Sequence, residues 1–131
     1  MAKKLKPTRK HVNMIMKWCI ETYGTSKYNK YIPEVQYRKP DHLREDSMAD
    51  YDDVDHVIFL NKNANPDLYE LANSLIHEYT HYKQNLKHYD ILSLYLPYHK
   101  NPLEIEANKI ANRDAKKCIK ELFGIQNRRK K

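Results

Sequence analysis

The run from Leu68 to Leu86, LYELANSLIHEYTHYKQNL, decides how this chain is read. Leu68, Leu71, Ala72, Leu75, Ile76, Tyr79 and Leu86 recur at helical spacing, so the run predicts a helix from about Asp67 through Leu86 with one buried stripe. Within it stands His77-Glu78-Tyr79-Thr80-His81. Side chains four apart on a helix lie one turn above each other on one face, so both imidazoles can reach a single divalent cation. Glu78, beside the first histidine, is a carboxylate placed to take a proton from metal-activated water. A pair of solvated surface histidines, the bland reading, has no use for that acid. Because His77 and His81 flank the stripe, the edge of a cleft is expected for them.

Upstream, Asn65 or Asp67 helps cap this helix, and residues 61–66 form the turn before it. His56-Val57-Ile58-Phe59-Leu60-Asn61 is the clearest strand, and an edge to which an extended peptide would add by backbone hydrogen bonds. Asp41 to Asp55 holds seven acids against Arg44 with no sustained apolar face, which predicts a solvated connection or short, poorly defined elements. Its spacing is not that of a calcium-binding EF-hand loop. Tyr31 to Tyr37 reads as a short strand whose Pro33 suits only an edge or a strand start. Before it, Val12, Ile15, Met16, Cys19, Ile20 and Tyr23 form the stripe of a packing helix begun at Pro7-Thr8 and ended by Gly24, with Trp18 covering its edge.

Downstream, a proline-bounded stretch from Ile91 to Pro97 returns the chain. Asn101-Pro102 then starts the last helix, whose stripe is Leu103, Ala107, Ile110, Ala111, Cys118, Ile119, Leu122 and Phe123, ended by Gly124.

The expected class is α+β: an N-terminal helix, a small sheet, the helix of the two histidines and a C-terminal helix. At 131 residues and 40% apolar content, one domain over 1–131 with one core is expected, with basic tails at about 1–10 and 126–131. The tails hold nine of the 24 lysines and arginines, which leaves 15 basic against 17 acidic residues in the body. The net charge of +7 therefore sits at the ends, and contact of the tails with nucleic acid is at most an accessory expectation. No apolar run reaches the roughly 18 residues of a membrane span, and no signal-type apolar core follows Met1, so a cytoplasmic protein without membrane partners is expected. Cys19 and Cys118 fall on helical stripes and read as buried thiols.

A catalytic zinc takes three protein ligands and leaves one position for water. An extended metzincin motif would need glycine at 84 and histidine at 87. The chain has Gln84 and Lys87, with His88 one residue out of register. His99, Glu104 and Glu106 remain as third-ligand candidates.

The pairing of H-E-x-x-H with Pro102-Leu103-Glu104-Ile105-Glu106-Ala107-Asn108 resembles short gluzincin-type zinc peptidase domains of phage and bacterial proteins. The resemblance spans about Val57 to Phe123 and implies a minimal zincin-like domain. It implies Zn2+ held by His77, His81 and Glu104, with Asn108 one turn later in a supporting position. Glu106 lies about 200° around the helix from Glu104, so the two cannot both face one ion. The expected function is then a zinc-dependent metallopeptidase, a hydrolase acting on a peptide or protein substrate. Glu78 is its proton acceptor, and Tyr98 or His99, with Tyr95 nearby, donates to the developing oxyanion. Two other readings stand beside it. One is an SprT-like protease acting on DNA-associated proteins, with His99 as third ligand. The other is a non-catalytic, zinc-stabilised binding module, against which Glu78 argues.

Overall fold

Three polar side chains start the three long helices. Thr8 Oγ1 accepts from His11 N, while Thr8 N donates to His11 Nδ1 at 3.0 Å, a capping box closed by an imidazole. Asp67 accepts from Glu70 N at 2.9 Å, and Asn101 from Leu103 N at 3.0 Å with Pro102 in the first turn. The computed structural model describes residues 6–40 and 48–124. In chain order it contains α1 (Arg9–Tyr23), β1 (Glu34–Arg38), β2 (Ala49–Asp52), β3 (Val57–Asn61), α2 (Leu68–Lys83), α3 (Leu86–Ser93), a 3-10 turn (Tyr98–Lys100) and α4 (Pro102–Phe123). The class is α+β, with four helices and a three-stranded mixed sheet. None of these helices is long and apolar enough to cross a membrane.

The strand order is β1-β3-β2, with β1 parallel and β2 antiparallel to β3. This corrects the expectation of a peptide-binding edge at residues 56–61: β3 is central and paired on both sides. The free edge beside α2 belongs to β2, inside the acid-rich stretch expected to be a solvated connection. Ala49 and Tyr51 alternate with Asp50 and Asp52, a period of two in which the charged residues take the exposed positions of an edge strand. Asp52 Oδ1 accepts from Val54 N and Asp55 N at 2.9 and 3.1 Å, so this aspartate shapes the β2–β3 turn. His56 closes that turn at φ 58°, outside the strand. The expected acids Asp41, Glu45 and Asp46, like residues 1–5 and 125–131 of the basic tails, lie outside the described residues. Arg9 is described, and its guanidinium donates to Val35 O at 2.5 Å, which fastens α1 to β1.

Helix α2 packs on α4, α1, β2 and β3, and Leu71, Ala72, Leu75, Ile76, Tyr79 and Tyr82 on it are fully buried. They join Val12, Ile15 and Cys19 of α1, Ile58 and Leu60 of β3, and Ala111, Ala115 and Cys118 of α4 in one core cluster. Both cysteines are buried free thiols. Trp18 is buried, and its Nε1 donates to Glu121 Oε1 at 2.7 Å. Tyr23 donates to Asp114 at 2.6 Å, a second polar link from α1 to α4.

Helix α2 stops at Lys83, three residues short of the expected end, and Leu86 opens a separate helix instead of extending the stripe. Asn29 from the α1–β1 loop donates to the carbonyls of Tyr82 (2.6 Å) and Gln84 (3.3 Å), and the Lys83 ammonium donates to Tyr23 O. Orphan carbonyls at the helix end are thus satisfied by side chains distant in sequence. At the other end, fully buried Asn65 donates to Asn61 O (2.7 Å) and Met48 O (3.0 Å) and accepts from Ser74 Oγ (2.7 Å). That one side chain ties the start of β2 and the end of β3 to the face of α2.

Candidate metal centre

His77 and His81 project from the same face of α2, with ring centroids 4.9 Å apart. Across from them, Glu104 rises from the first turn of α4, placed there by the Asn101 cap and by Ala107 and Ala111, whose small side chains sit on its buried face. His77 Nε2 lies 3.0 Å from Glu104 Oε1, and His81 Nε2 lies 3.1 Å from Oε2. One donor atom from each of the three residues lies within 4.8 Å of the other two, a group able to hold a metal ion. Two imidazole nitrogens and a carboxylate oxygen are a donor set suited to zinc. Glu104 is 4% exposed and His81 7%, so His81 is deeper than a cleft edge requires, while His77 is partly buried.

Two of the three, His81 and Glu104, are each held by a further residue. Gln84 Nε2 donates to Leu103 O (3.0 Å) and Glu106 Oε1 (2.7 Å), which leaves its Oε1 to accept from His81 Nδ1 at 2.7 Å. With its proton fixed on Nδ1, His81 directs Nε2 into the site. Tyr89 donates to Glu104 Oε2 at 2.6 Å. Asn108, the expected support, is exposed, and the partners of Glu104 are His77, His81 and Tyr89. Glu106 faces Gln84, away from the cluster.

Burial opposes the charge on Glu104, but the hydrogen bonds from His77, His81 and Tyr89 outweigh it and hold the carboxyl well below the usual carboxylate range. For His81 burial again opposes the charge, and Glu104, Glu78 and Gln84 together raise its pKa. Glu78 goes the other way. It is 7% exposed, and burial pushes its carboxyl up to about 7 despite the attraction of His77 and His81, with Asp50 and Glu104 adding to the rise. The phenols of Tyr89 and Tyr98 are raised by burial and by the neighbouring Glu104.

A cleft of about 430 Å³ opens over the cluster, between β2 and its following turn on one side and α3 with Tyr98 on the other. Glu78 lines it together with His77, His81 and Glu104. Tyr98 reaches the cleft, whereas His99 is exposed on the 3-10 turn and lines no part of it, and Tyr95 is 79% exposed. The structure therefore brings together His77, Glu78, His81, Glu104 and Tyr98, and leaves His99 out both as a ligand and as a donor. Sequence reading passed over Gln84, Tyr89 and Asp50. Gln84 carried a local signal, since a side chain three residues beyond a helical histidine can meet its ring. Tyr89 carried none, because it falls between the expected helix end at Leu86 and the returning stretch that begins at Ile91. No protein-family model matches the chain, and no curated protein or solved structure matches it.

Proposed function

We propose that this protein is a zinc-dependent metallopeptidase of zincin-like architecture. The observation that carries the reading is Glu78, a buried acid that lines the cleft between the two histidines of a three-residue metal group. A site that only cross-linked the fold would need His77, His81 and Glu104 but no further carboxylate facing the same space. That favours catalysis over a metal-stabilised binding module. The exposed position of His99 likewise favours Glu104 over the SprT-like ligand set.

His77, His81 and Glu104 would hold the ion, and when bound zinc supplies a Lewis acid that activates water and polarises a carbonyl at neutral pH. Glu78 takes the proton of the attacking water and passes it to the leaving amine, a role open to a carboxyl that lines the same space as the two histidines. Tyr98, which lines the cleft, would donate its phenol to the oxyanion that develops on the substrate carbonyl. The free edge of β2 aligns an extended peptide beside these groups. Met48 O accepts from Asn61 N, so by the antiparallel alternation Asp50 and Asp52 bond β3, while Ala49 and Tyr51 turn their N–H and C=O away from it. Two residues with free backbone groups offer the main-chain bonds that strand addition requires.

Elemental analysis and a cleavage assay test the reading. The protein is expected to carry about one zinc per chain, and Glu78→Gln to keep that zinc while losing peptide hydrolysis by at least about a hundredfold. Full activity in zinc-loaded Glu78→Gln, or no stoichiometric metal in the purified protein, would overturn it.

A further inference from the structure

The charge of the cleft is one-sided. Asp50, Asp53, Glu78, Asp90 and Glu104 line it, and among the described residues no lysine or arginine does. Five carboxyl groups face a site that would hold one divalent ion, so the acids outnumber the charges of the ion. This stands in a chain of net charge +7. Elsewhere, buried Asp114 is matched by Arg113 at 2.8 Å. Among the described residues Asp50, Asp53 and Asp90 have no such partner. Glu78 adds an independent sign of a ligand here: a nine-tenths-buried carboxylate that lines the cleft and, among the described residues, takes no protein hydrogen bond.

The two walls place these acids on either side of a chain lying along β2. Asp50 and Asp53 come from the strand and its turn, Asp90 from α3. Leu86, Tyr89 and Tyr98 supply apolar surface between the α3 side and the metal group. Acid walls around an apolar patch fit a long side chain with a methylene stem and a cationic head. Resting on the peptidase reading, we propose that the cleft selects peptides carrying Lys or Arg within two residues of the scissile bond, with Asp50, Asp53 and Asp90 receiving the cationic head. A neutral side chain of equal length gains only the apolar part, and an acidic one is repelled.

The test uses the zinc-loaded full chain and three labelled peptides that differ only in lysine, norleucine or glutamate flanking the central bond. Binding is read by fluorescence anisotropy on Glu78→Gln, and cleavage by mass spectrometry on the wild type. The expected order is lysine, norleucine, glutamate in both readouts, with about tenfold between neighbours at low salt and a narrower spread as ionic strength rises past the ~10 Å screening regime. Asp53→Asn and Asp90→Asn should each reduce the lysine-to-norleucine ratio about threefold. Equal binding of the three peptides, or a lysine preference untouched by both substitutions, overturns the proposal. Cleavage without charge preference overturns it while leaving the peptidase reading intact. If zinc-loaded wild type cuts no member of a degenerate peptide library, the peptidase reading fails, and the binding order alone decides whether the cleft selects cations.

Discussion

Gln84 accepts a hydrogen bond from His81 Nδ1 at 2.7 Å while its amide nitrogen holds Glu106 and the carbonyl of Leu103. One amide thus sets the tautomer of a ligand on α2 and fixes its distance from the turn of α4 that carries Glu104. Gln84→Leu is expected to weaken zinc binding about 10- to 100-fold, measured by competition with a chromogenic chelator. Gln84→Glu should also weaken it, by setting a carboxylate against Glu106, and Glu106→Gln in the same chain should restore much of the loss. No rescue in the double variant would remove Gln84 from this role.

Glu104 and Glu106 are two residues apart and do different work. Glu104→Ala should abolish stoichiometric zinc, whereas Glu106→Ala should retain it with an affinity lowered no more than tenfold or so, because Gln84 keeps its bond to Leu103. Metal content after gel filtration separates the two, and the reverse ranking would exchange their assignments.

The metal-free protein should lose stability as pH rises from about 5 to 7.5. Folding lifts the Glu78 carboxyl from an ordinary 4.5 to about 7, so the folded state holds that proton more tightly and ionisation costs it about 2 kcal/mol across this window. His81, whose pKa is also raised, contributes stability below its ordinary range that fades over the same rise. Glu104 has the opposite sign: its contribution is present above the ordinary carboxylate range and lost only in strong acid. Urea titrations in chelator at pH 5 and 7.5 check this. Glu78→Gln should flatten the slope and exceed the wild type in stability at pH 7.5; a variant no more stable than wild type there contradicts the account.

Asn65→Ala should cost about 3 kcal/mol, since it leaves Ser74 Oγ and the carbonyls of Met48 and Asn61 short of a buried partner. The same change frees the start of β2 from α2. In zinc-loaded protein it is therefore expected to raise KM for peptide more than it lowers kcat.

The features legible in the sequence were those with a local code. The stripe of α2 and the four-residue spacing of His77 and His81 follow from helical periodicity. The caps at Thr8 and Asn101 follow from hydrogen bonding within a few residues. Glu104 was one of three candidates, with His99 and Glu106, that the residues left open, and it was the resemblance that implied it as the third ligand. What stayed hidden depends on partners far along the chain. Asn29 ends α2 from more than fifty positions away, and nothing near Lys83 announces a stop. The aspartates around Tyr51 concealed an edge strand because edge strands tolerate the charges that loops also carry. The order β1-β3-β2 is a matter of tertiary pairing, so the most apolar strand, taken for an accessible edge, proved to be the enclosed one.

Helix α3 has no buried residue and lies between the second and third ligands, with Leu94 and Tyr95 nearly bare just after it. An ion joining His81 to Glu104 pins both ends of this segment to one point, which turns the excursion into a closed loop. Lengthening such a loop is cheap, about 0.6 kcal/mol for each doubling. Residues around Leu94 can therefore be inserted, deleted or exchanged without displacing the ligands. Around Leu94, short of Tyr98, the chain can change its length and its surface while His77, His81 and Glu104 keep their places.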